Sequence, residues 1–143
     1  MDVTILPRSW APYAHAVLRI MFGLLFLQHG LGKIVDFPHD PSLAMMPEGL
    51  KMVAGIFEIV GGLLLITGFL TRIAGFVMAG FSAVAYFMVH FPMGFFPELN
   101  HGDLAVIFCF VGLFFATSGA GAWSVDRAEF GSAAGSMPLQ GAK

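Results

Sequence analysis

Polar side chains capable of acid-base chemistry interrupt three apolar segments of this sequence. His29 and Lys33 are four residues apart and share one face of a predicted helix. Glu58 lies within a second apolar segment, and His90 closes a third. Imidazole and carboxylate groups can hydrogen-bond the carbonyl oxygens of a quinone and move the protons that accompany its reduction. We therefore predict a quinone headgroup site in which His29, Glu58 and His90 are the catalytic residues.

Three further side chains are predicted to bind the cofactor at this site. Gln28 precedes the first of the two histidines, and Tyr86 shares a helical face with His90 because these two are also four residues apart. Lys33 would anchor an anionic substrate or keep the Glu58 carboxylate ionised. The predicted cofactor-binding residues are therefore Gln28, Lys33 and Tyr86.

The same residues also have a structural interpretation. Glu58 can act as the salt-bridge partner of Lys33 and lock two helices together without any part in a reaction. His90 alone can be an interfacial residue at a helix end, and His101 can lie on the surface of a loop. The sequence leaves both interpretations open.

Metal, haem and nucleic-acid binding are not expected. The residues that might hold a metal are dispersed over three segments, without a compact spacing such as H-E-x-x-H. They are His29, Glu58, His90 and His101. The glycines lie within apolar segments rather than after a strand, so no phosphate-binding loop or dinucleotide motif is indicated. The formal net charge of -2 offers no basic stripe for nucleic acid.

Composition assigns the 143-residue chain to the integral membrane proteins. Charged residues make up 11% of it, against roughly 25% in soluble domains, and its mean hydropathy is +0.82. A spanning helix needs about 20 residues, and four apolar segments approach that length. We predict an all-α, four-helix membrane bundle in residues 14–126, with spans at about 14–35, 52–70, 73–91 and 104–122. Residues 1–13 are predicted to form an interfacial segment, and residues 127–143 a disordered tail.

The placement of Lys and Arg predicts the orientation of these spans. Four spans put both termini on one side, and that side holds more basic residues than the other, which indicates the cytoplasm. The side of the termini holds Arg8, Arg72, Arg127 and Lys143, and the opposite side holds Lys33 and Lys51. The predicted quinone site then lies at the outer end of the bundle. Arg19 lies near the cytoplasmic end, where snorkelling or a pair with Asp126 would satisfy its charge.

Ordered motifs extend from Arg19 to Asp126. They are Arg19-x3-Gly23-x2-Phe26 running to Gly30-x2-Lys33, then Glu58-x2-Gly61-Gly62-x2-Leu65-x2-Gly68 with Thr71-Arg72, then His90-x3-Gly94-Phe95, and last Gly119-Ala120-Gly121 leading to Ser124-Val125-Asp126. In this order they resemble the DoxX family of small four-span bacterial and archaeal membrane proteins, which is similar to the small membrane subunit of thiosulfate:quinone oxidoreductase. Ala120 replaces the proline usual in the family, and Val125 replaces its leucine.

The resemblance implies a multi-pass bundle in a bacterial or archaeal cytoplasmic (inner) membrane, in some members part of a redox assembly with quinone as electron acceptor. With the polar cluster, it favours a quinone-associated subunit of a membrane oxidoreductase. Such a subunit would contact membrane lipid and partner redox subunits or further copies of itself. The alternative hypothesis is a non-catalytic accessory or assembly subunit, and a transporter is a third.

Overall fold

The computed structural model describes residues 7–127, which contain four apolar helices and one short helix, joined by loops with 3₁₀ turns and a π turn. No strand occurs in that range. The helices are α1 (Ala11–Val35), α2 (Glu48–Thr67), α3 (Thr71–Ala85), α4 (Pro97–Asn100) and α5 (Asp103–Ser118). Residues 1–6 of the predicted interfacial segment, and all but the first residue of the predicted tail, lie outside the described residues.

Three helices in the described range are long and apolar enough to cross a membrane. They are α1 with the turn before it, α2, and α3 with its extension to Met93. The apolar helix α5 has 16 residues and stops before Gly119, which takes a positive φ of 78°. The sequence predicts helix to residue 122, so the last turn of that prediction is a non-helical segment instead. A fourth span stays a prediction.

Glycine contacts join the helices in two antiparallel pairs. A Cβ atom on Gly23 of α1 would lie 2.7 Å from the carbonyl oxygen of Gly62 on α2, and a Cβ on Gly62 would lie equally close to the Gly23 oxygen. Gly75 of α3 and Gly112 of α5 oppose each other in the same way, at 2.8 and 2.7 Å. Backbones that approach this closely are typical of small-residue packing between membrane helices.

Aromatic side chains fill the remaining two seams of the bundle. Between α1 and α5, the rings of Phe22 and Phe26 pack on Phe108 with centroids 5.4 and 4.7 Å apart. Between α2 and α3, Phe57 stacks on Phe81 at 6.2 Å. The sequence predicts α2 and α3 as a tight antiparallel hairpin, and they are neighbours, but each makes its most extensive contact with a different helix.

The start of α2 differs from the sequence prediction for a local reason. The helix begins at Glu48, earlier than residue 52, because Pro47 takes the N-cap position and leaves the following residues free to be helical. Glu48 lies in the first turn, where the helix dipole stabilises a negatively charged side chain. Its side chain also pairs with Lys51 at 2.6 Å.

The bundle has two chemically different ends. At one end, α1 begins and the chain leaves α5, and the rings of Tyr13 and Trp123 pack 5.2 Å apart; we call this the terminal end. At the other end lie the first loop, residues 36–47, and the second loop, residues 91–102; we call this the loop end. The predicted quinone-site residues belong to the loop end, and Arg19 belongs to the terminal end.

Candidate functional site

A cavity of about 420 Å³ lies between the helices at the loop end. Residues of α1, α2, α3 with its extension, and α5 line it, together with residues of both loops. Most of the lining side chains are apolar, and the titratable ones are His29, Lys33, Glu58, His90 and His101. Four of the six predicted site residues therefore meet in one cavity, and they are joined by His101, whose backbone turns at a φ of 57°.

Lys33 and Glu58 form an ion pair in the cavity wall. The Lys33 ammonium donates hydrogen bonds to both carboxylate oxygens, at Nζ–Oε distances of 2.9 and 2.8 Å. The side chains are 11% and 6% exposed, so the pair is largely shielded from solvent. Close packing of α1 on α2 places it there, because a Cβ on Gly55 would lie 3.1 Å from the Lys33 Cβ. This geometry fits both hypotheses for Glu58, the binding role and the structural one.

The cavity histidines His29 and His90 both use Nδ1 to reach a backbone carbonyl. Nδ1 of His29 lies 2.7 Å from the Leu25 oxygen, and Nδ1 of His90 lies 3.1 Å from the Asn100 oxygen. A carbonyl oxygen only accepts, so these bonds assign the hydrogen of each neutral ring to Nδ1. Nε2 is then an acceptor, and it becomes a donor when the ring is protonated. Each ring can therefore exchange a proton with an oxygen atom of a bound molecule.

Asn100, which no sequence motif singles out, holds the loop that orients His90. It is 1% exposed, and its side-chain amide donates to the Gly94 carbonyl at 2.7 Å and to the Tyr86 hydroxyl at 3.3 Å. Its side-chain oxygen accepts from the Gly102 N–H at 2.8 Å. A buried amide satisfied on both sides fixes the backbone around it. The available signal was a lone Asn in a loop rich in Pro and Phe.

Two of the predicted cofactor-binding residues do not line the cavity. Gln28 lies on an exposed face of α1. Tyr86 stacks on the His90 ring with centroids 6.3 Å apart, and its hydroxyl donates to the Phe95 carbonyl at 3.0 Å. Tyr86 also begins a π-helical turn, Tyr86–His90, that extends α3. Because their rings stack, Tyr86 and His90 share a face, as the four-residue spacing predicts, but the Tyr86 hydroxyl contacts the second loop.

The first loop contributes the apolar side chains of Leu43 and Met46 to the cavity lining. They lie in and after a 3₁₀-helix, Pro41–Met45, that Asp40 caps by accepting the Ser42 N–H at 2.9 Å. Hydrogen bonds from the side chain and backbone of Ser42 lower the pKa of the Asp40 carboxyl below its ordinary value. The cap is therefore ionised at neutral pH.

The chemistry of this cavity suits an aromatic ring with oxygen substituents. Its volume falls within the range of about 300–1,000 Å³ that is usual for small-ligand sites, and its walls combine apolar surface with a few polar groups. Nδ1 of His29 and of His90 bonds the backbone, so Nε2 is the position that can meet such an oxygen, accepting from a hydroxyl when the ring is neutral and donating to a carbonyl when it is charged. Within residues 7–127, no group of three or more His, Cys, Asp and Glu side chains is placed to hold a metal ion.

Arg19 is fully buried at the terminal end, so the prediction that it snorkels is wrong. Its guanidinium donates five hydrogen bonds to backbone carbonyl oxygens, with no side chain among these acceptors. The acceptors are Leu65, Ile66, Ala120, Ala122 and Trp123. Two of them belong to the last turn of α2, where carbonyls lack helical partners. Arg19 thus joins α1, α2 and the segment after α5.

Asp126, proposed above as a partner of Arg19, instead caps α3. Its carboxylate accepts hydrogen bonds from the two N–H groups at the start of that helix, at 2.8 and 2.9 Å. Arg72 donates to the carbonyls that end α5, those of Ala116 and Thr117. An anion at a helix N-terminus and cations at C-termini are each favoured by the helix dipole. The terminal end is therefore a network of helix caps.

Comparison with known proteins identifies a family match and one similar protein. A match to the DoxX family covers residues 14–91, which include α2, α3 and all of α1 except its first three residues. An uncharacterized protein of Haemophilus influenzae is 38% identical over 127 residues, covering 85% of this chain and 95% of that protein. No solved structure matched the chain. The similarity therefore extends over nearly the whole fold, including the two loops and α5.

Proposed function

The chain belongs to the DoxX family of membrane proteins, and from this premise we propose that it is a quinone-associated subunit of a membrane oxidoreductase. We further propose four spans with both termini in the cytoplasm of a bacterial or archaeal cell, in a multi-pass arrangement in the inner membrane. Partner redox subunits would then meet the bundle in the same membrane. The loop-end cavity would face the outer side.

The observation that carries this proposal is the convergence of His29, Lys33, Glu58 and His90 on one cavity with apolar walls. Titratable groups inside a membrane bundle are costly and are usually functional. Three separate helical segments contribute them, so their meeting is a property of the fold and not of local sequence.

Each polar side chain of the cavity has a defined task in this proposal. When bound, a quinone supplies a two-electron acceptor. When charged, His29 and His90 donate from Nε2 to the quinone carbonyl oxygens and give up that proton as the quinone is reduced, and when neutral the same atom accepts from a quinol hydroxyl. Lys33 pairs with the Glu58 carboxylate, which takes up a proton from the aqueous side of the membrane and passes it to a neutral histidine. The apolar side chains exclude water from the ring.

The proposal is tested by titrating a short-chain benzoquinone into the purified full-length protein in detergent. Glu58→Gln and His90→Ala are expected to weaken binding by about tenfold or more, equivalent to about 1.4 kcal/mol for each tenfold change. Matched controls are Glu48→Gln and His39→Ala, which change an exposed acid and an exposed histidine outside the cavity. Equal affinities for wild-type protein and both cavity variants would exclude a quinone site here.

A non-catalytic accessory or assembly subunit is the second candidate, and the bidentate Lys33–Glu58 pair favours it. A buried ion pair can hold two helices in register without taking part in binding or in a reaction. In that case Glu58→Gln lowers the midpoint of thermal unfolding and the yield of co-purified partner chains or of a homo-oligomer. Added quinone then changes neither quantity, for the wild-type protein or for the variant. Unchanged stability and unchanged partner yield would count against this candidate.

A further inference from the structure

The seam between α2 and α3 opens toward the loop end. Phe57 and Phe81 stack across it with centroids 6.2 Å apart. Leu50 precedes Phe57 by two helical turns, and Met88 follows Phe81 by the same distance, so both lie about 10 Å farther toward the loop end at about 1.5 Å per residue. Both of these side chains line the cavity, yet they are 42% and 61% exposed on the outside of the bundle. Val84, which lies between Phe81 and Met88 along α3, lines the cavity and is 56% exposed.

The other seams are closed at comparable depth. Gly30 and Gly55 bring α1 against α2, since a Cβ on Gly30 would lie 2.8 Å from the Gly55 carbonyl oxygen. Between α1 and α5, the Phe108 ring contacts Phe26 and, nearer the loop end, His29, with ring centroids 4.7 and 6.0 Å apart. Between α3 with its extension and α5, a Cβ on Gly102 would lie 2.6 Å from the Tyr86 ring. The exposed cavity-lining residues of the α2–α3 seam therefore mark its opening toward lipid.

The cavity has a polar interior and an apolar opening. The Lys33–Glu58 pair, His29 and His90 line the interior, whereas the side chains at the opening are those of Leu50, Val84 and Met88. An apolar chain lying in this opening would leave no polar group without a partner, whereas a polar molecule would lose its hydration there. A molecule with a polar ring and a long apolar tail matches this division.

We infer that the gap between α2 and α3 at Leu50, Val84 and Met88 is a lateral portal, through which the tail of a lipid-soluble ligand extends from the cavity into the membrane. The polar ring of this ligand lies against His29 and His90, an assignment that rests on the proposed function. The tail packs on the three apolar side chains and continues among the lipid chains. Affinity then depends on tail length as well as on ring chemistry.

Two benzoquinones test the portal, one with a decyl tail and one with a methyl group in its place. Binding of each to the full-length protein in lipid nanodiscs is measured by calorimetry. Val84→Trp and Met88→Trp fill the portal and are expected to weaken binding of the decyl compound by about tenfold, with the methyl compound unaffected. Val77→Trp is the matched control, because Val77 is 41% exposed on the same side of α3 and lies outside the cavity lining.

The outcomes separate the portal from the proposed function. If wild-type protein binds both compounds and the two portal variants weaken neither, or weaken both equally, the portal is overturned while the quinone site stands. The same follows if wild-type protein binds the methyl compound alone. If wild-type protein binds neither compound, the proposed function and the portal fail together. Unchanged thermal unfolding of the portal variants confirms that an altered affinity does not reflect misfolding.

Discussion

Arg19 is fully buried and the Lys33 side chain is 11% exposed. The fold satisfies these two cations of one helix in different ways. Lys33 meets a carboxylate, whereas Arg19 meets five neutral carbonyl oxygens. A guanidinium carries five N–H donors in a rigid plane, while an ammonium carries three on a flexible stem. Only arginine can therefore satisfy all of these carbonyls at once.

Replacing Arg19 with lysine is expected to destabilise the protein. Lysine preserves the charge but loses two donors, so buried carbonyls remain without partners and the free energy of unfolding falls by about 3 kcal/mol. Thermal unfolding in detergent measures the change. Arg127→Lys, at an exposed position, is the control. Equal unfolding midpoints for Arg19→Lys and wild-type protein would show that charge alone suffices at this position.

The Lys33–Glu58 pair can be separated into its structural and its functional parts. Glu58→Gln alone leaves a buried ammonium unpaired and should cost about 3–5 kcal/mol of stability, whereas the double variant Lys33→Met with Glu58→Gln removes both charges and should recover much of that loss. The unfolding midpoint and quinone affinity are measured on both variants. If the double variant recovers its stability but still binds quinone weakly, the pair belongs to the quinone site. If the double variant recovers both its stability and its quinone affinity, the role of the pair is structural.

At the scale of the elements, glycine decides which helices pair. The two tight pairs, α1 with α2 and α3 with α5, each depend on glycines that face each other across the contact. Side chains at these positions would collide with backbone atoms rather than with the flexible end of a neighbour. The position of the Lys33–Glu58 pair in the cavity depends on this arrangement, because Lys33 reaches Glu58 only where α1 lies directly on α2.

Alanine at a contact glycine is expected to separate a helix pair. Gly62→Ala and Gly112→Ala place a Cβ 2.7 Å from a carbonyl oxygen and should each cost about 1–3 kcal/mol through overpacking. Gly80→Ala is the matched control, since nothing lies within 4 Å of a Cβ there. The measurement is thermal unfolding, and a loss for Gly80→Ala as large as for the other two would contradict this account.

The second loop depends on Asn100 in the same sense. Asn100→Ala removes the side-chain bonds to Gly94, Tyr86 and Gly102, and should destabilise the protein by about 1–3 kcal/mol because buried partners lose their bonds. Hydrogen exchange of the Gly102 amide is expected to become faster. Asn100→Ala should also weaken quinone binding through His90, and rapid exchange without any loss of affinity would show that the loop does not position the histidine.

At the scale of the whole molecule, the two ends of the bundle carry different chemistry. The terminal end joins helix ends through Arg19, Arg72 and Asp126, while the loop end encloses a cavity with titratable walls. Several residues of the DoxX-like motifs are therefore helix caps, and only those near Lys33, Glu58 and His90 belong to the candidate site.

The proposed orientation can be measured on intact cells. In a Cys109→Ala background, Ser42→Cys places a thiol on the exposed first loop and Ser9→Cys places one at the terminal end. The excess of Lys and Arg at the terminal end predicts that a membrane-impermeant maleimide labels position 42 but not position 9. Labelling of both positions after lysis is the control. The reverse pattern in intact cells would place the cavity on the cytoplasmic side.

The amino-acid sequence alone determines that this is an all-helical membrane protein of the DoxX family and that polar residues interrupt its apolar segments. These properties are local, because hydropathy and helical spacing depend on neighbours along the chain. The prediction that His29, Lys33, Glu58 and His90 approach each other needed only the alternating direction of the helices. Whether they act on a quinone stays a prediction.

Only the tertiary structure decided the role of Arg19, the place of Tyr86 and the opening between α2 and α3. The carbonyls that satisfy Arg19 lie 46 or more residues away along the chain, and any residue type can supply a carbonyl, so no side-chain pattern marks them. Tyr86 stacks on His90, but its hydroxyl donates to the Phe95 carbonyl of the second loop, a contact that helical spacing does not reveal. The opening exists because glycine contacts draw α2 and α3 toward different partners, a consequence of packing between segments distant in sequence.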